Sequence, residues 1–570
     1  MPSLIESTAI KRLDMTSNVE NLKPETLSIA DNGRFTSDGR VEVRLGHILL
    51  RDLGTDARVD NIHTHDRLDV MFAKSGTAIY QSTDWVDHAY TTGLTRTAGE
   101  IDAIETIEKN VFITNQTDAF TRVAVSKIAA VDSVAATLSV TTGDGENFSS
   151  ATFYVRGIAV SSGTLSTDDY TGCVGLTAAM AVGDIVTQTS EPANAPKGNA
   201  ISELEGSTLV SNKASKPSVV GYSAPRTDDN PEYAYDFTTV SGGGSDPATT
   251  DCIAMGKINN GVLFGLKKGI NFVSQFDATT DELTVNKNPV HDQHGVYNFR
   301  AFAQGQNITY VLTNTNRVLP IVNDDSGCRI VDPKDQTKAL DWAIRSDLQK
   351  MDKSQTLSGA FYDPLRSEVI VNVSIDGLYR EYVLNESLGT WSRDFGKPFM
   401  SRTYLNGKVY AGSDNDGKIY EENYGRTDNT IPIESFFATG VLTKKPKRTT
   451  FEFTNLIFSG LLNATGEFTL KVKVRDVILT YDFTAKYLIN KGYMSLQDGV
   501  FIGAGAIGGE LIGSIGQFVE AFPFVIPFDF LLEGESIQLQ MEVAAEGTAF
   551  AWGDFAINPP EKDVLLSQST

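Results

Sequence analysis

A chain of 570 residues with 49 basic and 72 acidic side chains has a net charge of −23, which already excludes some partners. A sequence-specific nucleic-acid binder presents a basic face, whereas acidic residues here are spread along the chain, a surface past which DNA slides without sticking. The composition, 41% hydrophobic and 21% charged, is globular and soluble. It also lacks the run of roughly 18 apolar residues that a membrane-spanning helix needs.

The length predicts several domains, fewer if one is a ring of repeats. The N-terminus "MPSLIESTAIKRLDMT" has no apolar core of signal-peptide length, so the protein is expected to work where it is made or to leave by lysis. Cys173, Cys252 and Cys328 lie far apart without CxxC spacing. They read as small buried apolar residues, with no zinc site, disulfide framework or cofactor implied.

Residues 1–50 read as an extended arm ending in a strand, where Val41, Val43 and Leu45 alternate after the Asp38-Gly39 turn. Such a leading strand can complete the last blade of a propeller. Residues 51–130 hold two hairpins, 67–83 with a turn at Ser75-Gly76 and 108–128, and a helix is expected over 98–110. The rhythm then breaks. Residues 131–195, rich in Ser, Thr, Gly and Ala, read as a small inserted β-domain.

The hairpin phrase resumes at 206–225, and 241–250, "SGGGSDPATT", reads as a flexible connection. Four further hairpins follow at 258–276, 305–322, 366–385 and 405–423. Their turns carry Lys268-Gly269, Asn314 with Asn316, Asp376-Gly377 and Asp416-Gly417, residues that tolerate the positive φ of a tight hairpin loop. A helix is expected at 333–351, where Leu340, Ile344, Leu348 and Met351 share one face. Successive turns recur at roughly 40 to 60 residues, the period of four-stranded propeller blades. Each repeat can bury its faces only against neighbours, which favours a closed ring of six to eight blades. The ring is assigned to 51–130 and 196–428. From 429 to 570, long alternating strands at 449–462, 466–483, 527–543 and 548–559 predict a separate β-sandwich.

The expected fold class is therefore all-β: a propeller with an inserted β-domain and a C-terminal sandwich. A leading "DGRVEVRLG", repeats with "GTAIYQ", "GLYREYVLN" and "GTWSR", and a terminal sandwich together resemble the tail nozzle, or tail hub, proteins of short-tailed bacteriophages. The segment from "RGIAV" to "TGCVGLTAAMAVGDIVTQ" is similar to a small module that recurs in phage virion proteins. The resemblance implies a non-enzymatic virion protein, assembled in the host cytoplasm, several copies of which, typically six, ring a channel. An adaptor ring lies above and tail fibres attach outside, while genomic DNA is retained and then passes without specific binding.

A candidate channel constriction is the loop 501–518, in which Ile502, Ile507, Leu511, Ile512 and Ile515 could close a dry plug. Gly503, Gly505 and Gly508 lower the cost of moving it. The same stretch also reads as a mobile or packed loop between sandwich strands. Its GxGxxG spacing lacks the strand, helix and acidic residue of a dinucleotide site.

Other look-alikes carry structural readings beside functional ones. His63 and His65 match the HxH of metal-dependent hydrolases but also a solvated strand edge, and His291 with His294 reads as a loop or a weak metal site. Asp414 and Asp416 do not keep calcium-loop spacing and read as turn residues. The basic run 444–448 reads as a nuclear address, an anion patch or a solvated loop entering the sandwich. A second class of function remains: a tail-tip propeller that binds receptors or that binds or hydrolyses glycans. Asp66, Asp118, Asp324 and Asp376 are then conceivable carboxylates at the axis mouth, and Tyr379, Tyr382 and Trp391 conceivable stacking surfaces.

Overall fold

The computed structural model describes residues 5–557 except 38, 108, 142–151, 162, 167–168, 193, 212, 226–235, 238–243, 248–249, 278–281, 286–289, 306, 353, 355–357, 398, 444–450, 464–465, 492–493, 497–517, 545–547 and 549. Nearly all regular structure in it is antiparallel strand.

Seven up-and-down sheets of four strands follow one another along the chain. Blade one is Val59–His65, Val70–Ser75, Ala78–Ser82 and Tyr90–Thr95. Blade two is Ala103–Ile107, Asn110–Thr114, Thr121–Asp132 and Ile185–Ser190. Blades three to six begin at Ala200–Leu204, Cys252–Ile258, Phe302–Gln304 and Gly359–Asp363. Blade seven takes Phe399–Leu405, Lys408–Ser413 and Lys418–Glu422 and borrows His47–Asp52 as its outermost strand.

First strands of neighbouring blades lie side by side and run the same way. Val59–His65 meets blade seven at Ser401 Oγ to the Val59 carbonyl, 3.0 Å, and at Thr64 Oγ1 to Thr403 Oγ1, 2.7 Å. It meets blade two at Asn61 Nδ2 to the Asp102 carbonyl, 3.0 Å, and at His63 Nε2 to Thr106 Oγ1, 2.8 Å. The ring is closed: this is a seven-bladed β-propeller.

The apolar clusters lie between blades, which explains why strands carry apolar residues on both faces. Val70, Phe72 and Ile79 pack on Ile104, Val111 and Ile113 of blade two. The opposite face, with Met71, Ala73 and Trp85, packs on Leu405, Tyr410 and Ile419 of blade seven. Glu368–Ile375 in blade six is buried at every position, as expected for a strand covered on both sides. The seven hairpins legible in the sequence are the two middle strands of each blade.

The C-terminal β-sandwich is built from both ends of the chain. One sheet joins Ile5–Thr8, Gly33–Phe35 and Val41–Val43 to Phe550–Ile557, Phe451–Asn463, Phe518–Gly534 and Met494–Leu496. The other joins Thr26–Asp31 to Ser435–Thr439, Gln538–Val543, Glu467–Val474 and Val477–Thr484. It continues into blade six through a parallel bridge between Asp31 and Arg393. Leu27, Phe437, Leu470 and Met541 of one sheet share a core with Val41, Leu456, Trp552 and Phe555 of the other.

Several expectations change. The arm is not extended: Val41 and Val43 pair with Trp552 and Gly33 in the sandwich, and the ring is closed by residues 47–52 instead. The segment read as a helix over 98–110 is the first hairpin of blade two. The segment 333–351 holds two 3-10 turns and a one-turn helix, Arg345–Leu348. Within the expected connection 241–250, Gly244–Pro247 is the outer strand of blade three. A sheet edge tolerates that proline because no partner needs its missing N–H.

The inserted module grows from Thr121–Asp132, which runs on past the blade to pair with Thr137–Val140. It has its own core around Phe153, Val155, Tyr170 and Met180. Lys127 and Ile185 are paired at its base, so a two-residue Asn-Gly turn in place of 129–183 can close blade two as a hairpin. That variant should remain folded, with a protease-resistant propeller and a melting transition within a few degrees of wild type. An aggregated or protease-labile product would mean that the module is integral to the ring.

Candidate functional site at the propeller axis

Ring closure brings one side chain or more from every blade to the axis: Asn61, Glu105, Ile201, Met255, Phe302, Phe361 and Arg402 surround a cavity of about 220 Å³. A duplex, whose major groove alone is about 12 Å wide, does not fit there. The axis is a packed core with a small polar void.

Its charges fall into two kinds. Most are matched: Lys257 Nζ lies 2.6 Å from Glu105 Oε1. Burial would lower the Lys257 ammonium, but Glu105, with Glu203 and Asp66 nearby, outweighs it and raises the pKa above its ordinary value. Arg402 is likewise committed to Glu381 and, at 2.9 Å, to Glu422. Arg300 is the exception. Its Nη1 donates to the Met400 carbonyl at 3.2 Å and its guanidinium lies 5.1 Å from the Phe299 ring centroid. Its Nη2 is buried and has no partner among the described residues. Burial pulls its pKa down to about 10, and the charge of Asp60 offsets this only in part. On the same cavity wall, the Asn372 amide donates to the Phe399 carbonyl at 2.8 Å, while its buried Oδ1 has no partner among the described residues.

Beside the axis, an ion network locks blades six and seven to the sandwich. Asp394 lies 2.7 Å from Arg34 Nη2, 3.0 Å from Lys397 Nζ and 3.9 Å from Arg44 Nε. Arg34 also reaches Glu368 at 3.2 Å, and Arg44 reaches Asp428 at 2.5 Å. Not every carboxylate here is content to ionise. Burial, then the charge of Glu368, pushes Asp363 up to about 6, and burial likewise raises Glu381 despite Arg402 and Lys397.

Because the folded chain holds the Asp363 proton more tightly than the unfolded chain, the stability it contributes is full below about pH 4 and is lost as pH rises through 6. Asp363→Asn should therefore stabilise the protein at pH 7.5 by about 3 kcal/mol and change little at pH 4. Urea unfolding at the two pH values reads this. An equal effect at both would contradict the assignment.

The proposed constriction, Ile502, Gly503, Gly505, Ile507, Gly508, Leu511, Ile512 and Ile515, and the basic run 444–448 lie outside the described residues. The four conceivable carboxylates are not brought together. Asp66 opens the turn after the first strand of blade one, and Asp118 accepts from the Thr97 N–H at 2.8 Å in a loop of blade two. Asp324 pairs with Arg329 at 2.7 Å on the outer strands of blade five, and Asp376 sits in a positive-φ turn of blade six.

His65 Nε2 meets the Lys109 carbonyl at 3.1 Å, and the rings of His291 and His294 are 4.1 Å apart. No group of three or more metal-ligating side chains occurs among the described residues. Asp416 is bound by Lys418 at 2.5 Å within a turn. Tyr382 and Trp391 are core residues, donating to Asp347 at 2.9 Å and to the Leu340 carbonyl at 2.7 Å, while Tyr379 is half-buried. Cys173 and Cys252 are buried free thiols, and burial pushes Cys252 up to about 12. Sequence reading missed Arg300 and Asn372, which reach one cavity wall only when blades five and six pack together.

No protein-family model and no curated protein matches the chain. Among solved structures, the computationally designed protein Ika8 aligns over 66% of this chain and 99% of its own at 8% identity, TM-score 0.34. Hsv2 of Kluyveromyces lactis aligns over 60% and 98% at 11% identity, TM-score 0.26. An exo-beta-1,3-galactanase from Phanerochaete chrysosporium, with galactose, aligns over 90% and 100% at 12% identity, TM-score 0.21. No helix among the described residues is long and apolar enough to cross a membrane.

Proposed function

We propose that this chain is a structural virion protein, the tail nozzle or tail hub subunit of a short-tailed bacteriophage. In this reading about six copies form a ring at the distal end of the tail, beneath an adaptor ring and inside attached fibres. The ring retains the genome and conducts it at ejection. The observation that carries the reading is mechanical: a closed propeller with a packed axis is joined by a continuous sheet and a buried ion network to a sandwich made from both chain ends. Such a block serves as a wall element under load. DNA would pass between copies and not along any propeller axis, and a net charge of −23 keeps that wall from gripping phosphates.

A second reading is a tail-tip protein that binds receptors or that binds or hydrolyses glycans; the axial cavity, with an Arg300 donor unpaired among the described residues, has room for a small acidic group of such a ligand and not for a chain. Reconstruction of intact tails by electron microscopy separates the two. The nozzle reading expects a ring of propellers around a lumen formed between copies. Copies held only at the tips of fibres would overturn it in favour of the second.

A further inference from the structure

The axial cavity is built around an uncompensated cation. The four arginines that are buried among the described residues, Arg34, Arg44, Arg96 and Arg345, each hold a carboxylate at 2.5–2.7 Å, and Arg300 is partly buried with its Nη2 shut off from solvent. Arg300 holds none within ion-pair distance among the described residues. The anion whose field reaches it, Asp60, is already bound by Arg58 and, at 2.6 Å, by Lys74. A guanidinium withdrawn from water without a counter-charge costs several kcal/mol, so an external anion gains what the fold leaves unmet.

We propose that the axial cavity is a binding site for a small oxyanion carrying at least one O–H, a hydrogen phosphate or a hydroxycarboxylate, held by Arg300 and Asn372. The hydrogen bond from Nη1 to the Met400 carbonyl fixes the plane of the guanidinium. The remaining N–H groups of its fork match two oxygens of a phosphate or carboxylate. Asn372 is fixed by its bond to the Phe399 carbonyl and offers Oδ1 as an acceptor for the ligand's O–H. At about 220 Å³ the void lies below the roughly 300 Å³ at which pockets begin to hold drug-sized ligands. The occupant is thus a small ion and not a glycan chain. The site is independent of the nozzle reading, since it requires only the closed ring.

The test uses the full chain, inorganic phosphate and L-malate as separate probes, and sodium chloride at matched ionic strength as the reference. Each probe is titrated by calorimetry and by thermal melting, on wild type and on Arg300→Met. The expected result is saturable heat and a rise of several degrees in Tm with one or both probes. Arg300→Met should weaken binding at least tenfold and raise the Tm of the unliganded chain, because the bare charge is gone.

Lys267→Met, which alters a surface lysine whose side chain is 67% exposed, should bind as wild type does. Response to phosphate alone or to malate alone identifies the source of the oxyanion. Absence of heat with both probes on wild type at 10-fold the chloride-corrected detection limit overturns the proposal even if Arg300→Met does not fold. Equal binding by wild type and Arg300→Met overturns it as well, as an adventitious surface effect.

Discussion

Asp394→Ala should destabilise the protein by about 3–5 kcal/mol, a large fraction of the whole stability of a typical fold. The Asp394 side chain is fully buried, and its removal leaves Arg34, Lys397 and Arg44 facing one another without their shared anion. Burial opposes its ionisation, but Arg34, Lys397 and Arg44 outweigh burial and hold the carboxyl well below the usual carboxylate range. Its contribution is therefore fully present above about pH 4 and persists until pH falls through that depressed value. Acid and mutation should thus differ: wild type at pH 5 keeps the joint, and Asp394→Ala lacks it at every pH. Urea unfolding measures both. A loss of less than 1 kcal/mol would show that the joint is held by apolar packing alone.

Removal of residues 1–52 is expected to abolish cooperative folding. The deletion takes away the outermost strand of blade seven, so the ring stays open. It also strips Ile10, Leu13, Leu27, Val41 and Val43 from the sandwich core. Burial of such side chains is worth about 1.5–3 kcal/mol each. Five of them amount to roughly 10 kcal/mol, comparable to the 5–15 kcal/mol that holds a typical fold together. A shorter deletion, residues 1–44, keeps His47–Asp52 and separates the two effects: the propeller should stay protease-resistant while the sandwich is digested. If the 1–52 deletion melts as wild type does, the N-terminal strands are dispensable and His47–Asp52 does not hold the ring closed.

The middle hairpin of each blade was legible because it is local. In blades one, four, five and six its two strands are joined by a turn with positive φ at Gly76, Gly269, Asn316, and Asp376 with Gly377, whereas the expected Asp416-Gly417 turn of blade seven has positive φ at neither residue. What failed was non-local. Val41 and His47 sit in one alternating stretch, yet they go to different domains because their partners, Trp552 and Glu422, come from opposite ends of the architecture. The helical spacing of Ile344, Leu348 and Met351 did report burial. It did not report a long helix, because Asp341 holds both Arg317 and Arg345 and ties the chain into turns. Arg300 had no signal of its own. A basic residue in a loop before a strand becomes distinctive only once its buried Nη2 is found to face no partner among the described residues.

As a component of a phage tail, the role proposed for it, this protein would travel with particles. The most direct measurement is to fractionate the lysate that contains it on a density gradient and quantify it by mass spectrometry in each band. The account predicts that it bands with DNA-filled particles at about six copies per tail. Its recovery only among soluble proteins, away from particles, would contradict the account and leave a free-standing ligand-binding propeller in its place.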